Sequence, residues 1–156
     1  MDRSLPMDRQ HRAVHEAGHA VAAYLEGVRV QKVSIEPEAL PGGEGGGIWL
    51  RPPEEWTEEH LHSLALWTWA GTVAESVLLG DSIQGGYARD LRKLHDLTSE
   101  HGAAPASHYL KIYLKDAARQ TIEDNQELVE ALSNRLLNQP TMEGEDVERF
   151  LDVRTE

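Results

Sequence analysis

The chain has 156 residues, enough for one domain with its own hydrophobic core but few for two. Apolar residues make up 40% and charged residues 27%, which is typical of a globular protein and excludes collagen-like or disordered chains. The formal net charge of −12 argues against a nucleic-acid partner, because phosphate recognition needs a basic surface. The absence of cysteine excludes disulfides, thiolate zinc ligands and cysteine nucleophiles.

Membrane insertion and export are not indicated by the sequence. The first twelve residues are polar and charged and lack the apolar stretch of a signal peptide. The most apolar run, Leu61 to Leu79, contains His62, Ser63 and Glu75, so it predicts a buried helix rather than a membrane span. We therefore expect a cytoplasmic protein without a membrane segment.

The first half of the chain predicts a helix followed by a small β element. Apolar residues recur at helical spacing over residues 9–26, and Gly27 provides a stop. Alternating apolar residues from Val28 to Pro37 and the short run 48–50 predict two strands. Five glycines and a proline within residues 40–47 predict a turn between them. A β-hairpin is the expected result, and the long loop leaves its register open.

The second half is predicted to be helical. Thr57 is a candidate N-cap for a helix from Glu58 to Leu79, which Gly80 would close. Further helices are expected in three segments: Ala88–Ser99, 107–137 with one or two breaks, and Met142–Val153. The sequence therefore predicts a single, mainly α (α+β) domain over residues 1–156, with a core from about 10 to 153 and a small hairpin or sheet.

The segment from His15 to His19 reads His-Glu-Ala-Gly-His and carries the clearest chemical signal. Residues i and i+4 lie on one helix face, so the two imidazoles can bind one metal ion while Glu16 takes a proton from water. A third ligand must come from elsewhere in the chain. The alternative is a surface helix with incidental histidines, and His11 favours it because it extends the same row to three. The small residues around Gly18 would let another element pack closely.

Four blocks in order resemble the peptidase domain of FtsH, the bacterial ATP-dependent zinc metalloprotease. The first block is Ala13–Pro37, which includes the metal motif, and the others are Ala70–Glu75, Gly85–Leu91 and Leu136–Leu151. The similarity extends over nearly the whole chain. It implies a zincin-like helical fold with a small β-sheet, a zinc cofactor, and peptides or unfolded protein segments as substrates.

The resemblance also implies a role for each site residue. It makes His15 and His19 zinc ligands, Glu16 the general base and Asp90 the third ligand. From the residues alone, the preferred interpretation of Asp90 is an acid at a helix N-terminus, favoured by the helix dipole. Glu75 is the rival third ligand, and we expect it instead to orient one of the histidines from the second shell of the metal site.

The chain departs from a complete FtsH protein in ways that shape the functional prediction. It has no Gly-Lys dipeptide, hence no phosphate-binding loop for an ATPase, and no hydrophobic anchor. We expect a stand-alone zinc metalloendopeptidase that binds an extended peptide along a strand edge at residues 31–37 or 48–50. A homo-oligomer or a separate ATPase is a possible partner. The alternative is a catalytically inactive metal-binding or accessory protein on the same scaffold.

Overall fold

The computed structural model describes residues 4–36, 47–51, 53–82, 86–100 and 112–155, with the side chains of 4–8, 86, 93, 97–100, 112 and 113 left aside. Nine elements follow in chain order through these residues: α1 (Ser4–Glu26), β1 (Val30–Ser34), β2 (Gly47–Leu50), α2 (Glu58–Leu79), α3 (Gly86–Glu100), α4 (Ile112–Asp124), α5 (Gln126–Asn138), β3 (Thr141–Glu143) and α6 (Gly144–Thr155). The prediction of a mainly α fold with a small β-sheet is confirmed. The turn was predicted over 40–47; its residues 40–46 lie outside the described residues, and Gly47 begins β2. The helix start predicted at 107–111 also lies outside the described residues.

The β element is a three-stranded antiparallel sheet in the order β2-β1-β3. The predicted hairpin is β1 with β2, and Val33 pairs with Ile48 on one side and with Met142 on the other. The sequence analysis placed Met142 in the last helix, which instead begins at Gly144. Because β1 is paired on both sides, the expectation of a free strand edge at 31–37 is wrong for the paired part of that segment. β2 lies at the edge of the sheet.

Helices α1 and α2 form the centre of the domain and pack at very short range. A Cβ atom at Gly18 of α1 would lie 2.5 Å from Ala74 Cβ and 2.8 Å from the carbonyl oxygen of Ala70, both on α2. Only glycine allows this approach. The prediction that the small residues of α1 permit close packing is confirmed, and the two backbones are thereby brought together beside the His-Glu-Ala-Gly-His segment.

Helix α2 begins and ends where the sequence predicted. The side chain of Thr57 accepts a hydrogen bond from the backbone N–H of His60, and Gly80 adopts a left-handed φ of 87° at the C-terminal cap. Most of the helix is buried, including Glu75. In the part of the chain that the structure describes, each helix is too short or too polar to cross a membrane.

Candidate active site

Two helices bring three of the predicted site residues together. His15 and His19 lie one turn apart on α1, with their Nε2 atoms 3.1 Å from each other. Asp90 comes from the first turns of α3, and its Oδ2 atom is 2.9 Å from both of these nitrogens. The three side chains thus present a small triangle of potential ligand atoms, each from a position that the sequence analysis named.

The hydrogen bonds of the two Nδ1 atoms determine that the Nε2 atom of each histidine faces the triangle. His15 Nδ1 donates to Glu75 Oε2 at 2.7 Å, and His19 Nδ1 donates to the backbone oxygen of Trp67 at 2.8 Å. Carboxylate and carbonyl oxygens accept hydrogen bonds, so both Nδ1 atoms carry a proton and a neutral ring has its lone pair on Nε2. Partners of this kind are the usual ones for metal-binding histidines.

The chemistry of this donor set fits a zinc ion. Two imidazole lone pairs and a carboxylate oxygen facing one another at about 3 Å repel unless a cation lies among them. Tetrahedral ligands at about 2.0–2.2 Å from zinc are roughly 3.3–3.6 Å apart, so the triangle, with sides of 2.9, 2.9 and 3.1 Å, is slightly smaller than one tetrahedral face. Two histidines and one acid also leave the fourth position open, as in catalytic zinc sites.

Without a metal ion, a proton performs the same task. Burial lowers the pKa of His15, but hydrogen bonds to Asp90 and Glu75 and the charges of Asp90 and Glu16 outweigh it and raise the pKa to about 10. Burial raises the pKa of Asp90, whereas His19 and His15 outweigh it and hold the pKa well below its usual range. When no metal ion is bound, a proton on His15 therefore supplies the positive charge next to Asp90.

Zinc binding should for this reason depend on pH. Zinc must displace the proton from His15, whose metal-free pKa is raised to about 10, so acid favours the metal-free form. We expect the zinc association constant to rise by about tenfold per pH unit between roughly pH 6 and 8. Competition against a metal buffer at several pH values, corrected for protonation of the chelator, measures this. An affinity that stays constant over that range would contradict the prediction.

Gly71 is a site residue that the sequence analysis quoted only within a family block, without a role. A Cβ atom there would lie 2.5 Å from His19 Nε2 and 2.6 Å from His15 Nε2. The backbone of α2 therefore passes directly beneath the potential ligand atoms, and the missing side chain leaves them their space. Glycine inside a helix costs about 1 kcal/mol relative to alanine, so its presence in the predicted helix was the available signal.

Gly71→Ala should therefore disturb the site while keeping the helix. Since alanine favours helices, the substitution should not weaken α2 itself, but its methyl group would push both imidazoles out of register with Asp90. We expect zinc affinity to fall by about 10–100-fold, as for other changes that misorient ligands. Gly144→Ala is the matched control, because the atoms nearest to its added Cβ belong to the backbone of Val30 and Gln31 and not to the histidines. Equal zinc affinities of wild type and Gly71→Ala would refute the interpretation.

The other candidate residues on α1 do not contribute atoms to the triangle. Glu16 is 5% exposed, and its charge contributes to the raised pKa of His15. His11 does not join the triangle; its Nε2 lies 2.8 Å from Asp81 Oδ1. His19 is fully buried, so the alternative of a surface helix with incidental histidines is wrong. The contact with Trp67 was not predicted, because nothing in the sequence indicates that its backbone oxygen accepts a hydrogen bond from His19 Nδ1.

The helical fold and the His-Glu-x-x-His helix, with an aspartate from a second helix, are the features of a metallopeptidase domain. Residues 5–101 match Peptidase family M41, which is more than half of the chain, and the chain belongs to this family. The resemblance to the FtsH peptidase domain that the sequence indicated is thereby confirmed.

Curated relatives of the chain are named as FtsH zinc metalloproteases. The chain is 30% identical to the ATP-dependent zinc metalloprotease FtsH 2 of Symbiobacterium thermophilum, over 95% of this chain and 31% of that protein. It is 26% identical to the ATP-dependent zinc metalloprotease FtsH of a Synechococcus strain, over 90% of this chain and 29% of the relative. The chain thus spans under a third of the length of these relatives.

Proposed function

We propose that the protein is a zinc-dependent endopeptidase that cleaves peptides or unfolded protein segments without needing nucleotide. The observation that carries the proposal is the triangle of His15 Nε2, His19 Nε2 and Asp90 Oδ2, with buried Glu16 next to the first histidine. These residues suit a catalytic zinc ion, and membership of Peptidase family M41 supports the same chemistry. The zinc metalloprotease names of the relatives agree with it.

The proposed mechanism divides the work among the residues of the site. His15, His19 and Asp90 would hold the zinc ion, and the bound ion would act as a Lewis acid on the scissile carbonyl and lower the pKa of a water molecule. Glu16 takes the proton of the attacking water and returns it to the departing amine nitrogen. Glu75 and the backbone oxygen of Trp67 keep the two imidazoles in the tautomer that presents Nε2.

An extended substrate can pair with β2, one of the two outer strands of the described sheet. β2 pairs with β1 on one side and lies at the edge of the sheet, so its other side can pair with a peptide backbone. Of the two edges expected from the sequence, β2 is the one that the fold supports. The side chains of Trp49 and Leu50 are half-buried there and offer apolar contacts to a peptide.

The proposal is tested by hydrolysis of an unfolded protein without nucleotide. Zinc-loaded protein is incubated with fluorescently labelled casein, and a parallel sample is stripped with a chelator and then restored with zinc. We expect cleavage that is lost on stripping and recovered on restoration, with no requirement for ATP. A zinc-loaded protein that leaves casein and a mixed peptide library intact would support the alternative, an inactive accessory protein on the same scaffold.

A further inference from the structure

The aromatic ring of Tyr87 stacks on that of Trp69. The two centroids are 4.2 Å apart and the planes differ by 16°, so the rings lie face to face. Tyr87 belongs to the first turn of α3, and Trp69 belongs to α2. Both side chains are partly buried. The stack therefore joins the beginning of α3 to the middle of α2.

Helical spacing relates this stack to Asp90. Tyr87 precedes Asp90 by three residues and Leu94 follows it by four, so the three side chains share one face of α3. Asp90 and Leu94 are the buried members among the described side chains of α3. Tyr87 and Leu94 thus flank Asp90 along the helix, and Tyr87 supplies a contact on its N-terminal side.

The site requires α3 to be held in place relative to α1. His15 and His19 share α1 and keep their spacing through the helix itself, whereas Asp90 arrives from a separate element and must still lie 2.9 Å from both. Trp69 is two residues from Gly71, whose backbone underlies the imidazoles. The stack consequently ties α3 to the segment of α2 that touches the ligand atoms.

Within the described residues, Trp69 is oriented by contacts of its ring. Its indole Nε1 is buried and has no hydrogen-bond partner in that part of the chain. Besides Tyr87, the ammonium of Lys115 on α4 lies 5.4 Å from the ring centroid. Lys115 is exposed and belongs to another helix, so it provides a control that perturbs Trp69 without touching α3.

We propose that Tyr87 is a positioning residue whose ring, stacked on Trp69, holds the first turn of α3 where Asp90 reaches both histidines. The inference rests on the proposed function, because it takes Asp90 as a zinc ligand. The ring of Tyr87 holds α3 by stacking its face on Trp69, and its hydroxyl is not needed for this contact. Tyr87→Phe should therefore behave as wild type, whereas Tyr87→Ala should not.

The test measures zinc binding directly on the full chain. Zinc affinity is determined by competition with a chromophoric chelator for wild type, Tyr87→Phe, Tyr87→Ala, Trp69→Leu and the double variant Tyr87→Ala/Trp69→Leu. We expect affinity to fall by about tenfold in both single variants, the lower end for groups that orient a ligand without binding the metal, and no further in the double variant. Lys115→Met should change it by less than about threefold.

A second readout separates positioning from general destabilisation. The visible absorption of the cobalt-substituted protein reports the geometry of the ligands, and thermal unfolding of the metal-free protein reports stability. We expect the cobalt spectrum to change in Tyr87→Ala and to be normal in Tyr87→Phe. Should Tyr87→Ala fail to fold, Tyr87→Leu retains apolar bulk without an aromatic face and gives the same comparison.

The outcomes distinguish this inference from the proposed function. If Tyr87→Ala lowers thermal stability but keeps wild-type zinc affinity and cobalt spectrum, the ring is merely structural and the inference fails, while the zinc site stands. If Tyr87→Phe loses as much affinity as Tyr87→Ala, the hydroxyl is responsible and the stacking argument is wrong. A wild-type protein that binds no zinc overturns both.

Discussion

Replacing Glu16 by glutamine is expected to leave zinc bound and to slow peptide hydrolysis by at least about 100-fold, as loss of a general base does. The amide has the size of the carboxylate but cannot accept the proton of the attacking water. Glu16 does not contribute any of the three ligand atoms of the triangle, so the variant should still bind zinc. Zinc content by elemental analysis and initial rates on labelled casein measure the two quantities separately.

The control for this variant is Glu26→Gln, which removes an exposed acid from the same helix. It should keep both zinc and activity. Glu16→Gln cleaving as fast as wild type would show that another group is the base. Loss of zinc together with activity would show instead that Glu16 helps to hold the metal, and the division of roles proposed for the site would need revision.

Local patterns in the sequence were sufficient for the helices and for the metal motif. The cap at Thr57, the left-handed Gly80 and the i, i+4 histidines each depend on neighbours within a few residues, so their signals are contained in the sequence. The same holds for Gly18, because a run of small residues on one helix face permits close packing whatever the partner is.

Features that depend on residues far apart in the chain could not be predicted from local sequence patterns. β3 has three residues, and Met142 is in a strand only because it pairs with Val33, more than a hundred residues away. The contact of Gly71 with the imidazoles requires α1 and α2 to be packed first. Asp90 was named through the family resemblance, since spacing alone also allowed a helix-terminal acid.

The second prediction with a large effect compares two of the buried carboxylates, those of Asp90 and Glu75. Asp90→Ala should lower zinc affinity far more than Glu75→Gln, because Asp90 Oδ2 faces both Nε2 atoms whereas Glu75 meets His15 at the opposite nitrogen. Glutamine at position 75 still offers an oxygen to the Nδ1 proton of His15. We therefore expect Glu75→Gln to weaken zinc binding by about 10–100-fold and Asp90→Ala to exceed that range.

The matched control is Asp96→Ala, an exposed acid on the same helix as Asp90, which should bind zinc as wild type does. Equilibrium competition with a chelator gives the affinities, and unfolding of the metal-free variants shows whether each remains folded. A Glu75→Gln protein that loses as much affinity as Asp90→Ala would contradict the assignment. So would a zinc-bound crystal structure with a Glu75 oxygen at about 2.0–2.2 Å from the ion and Asp90 remote from it, because that distance defines a direct ligand.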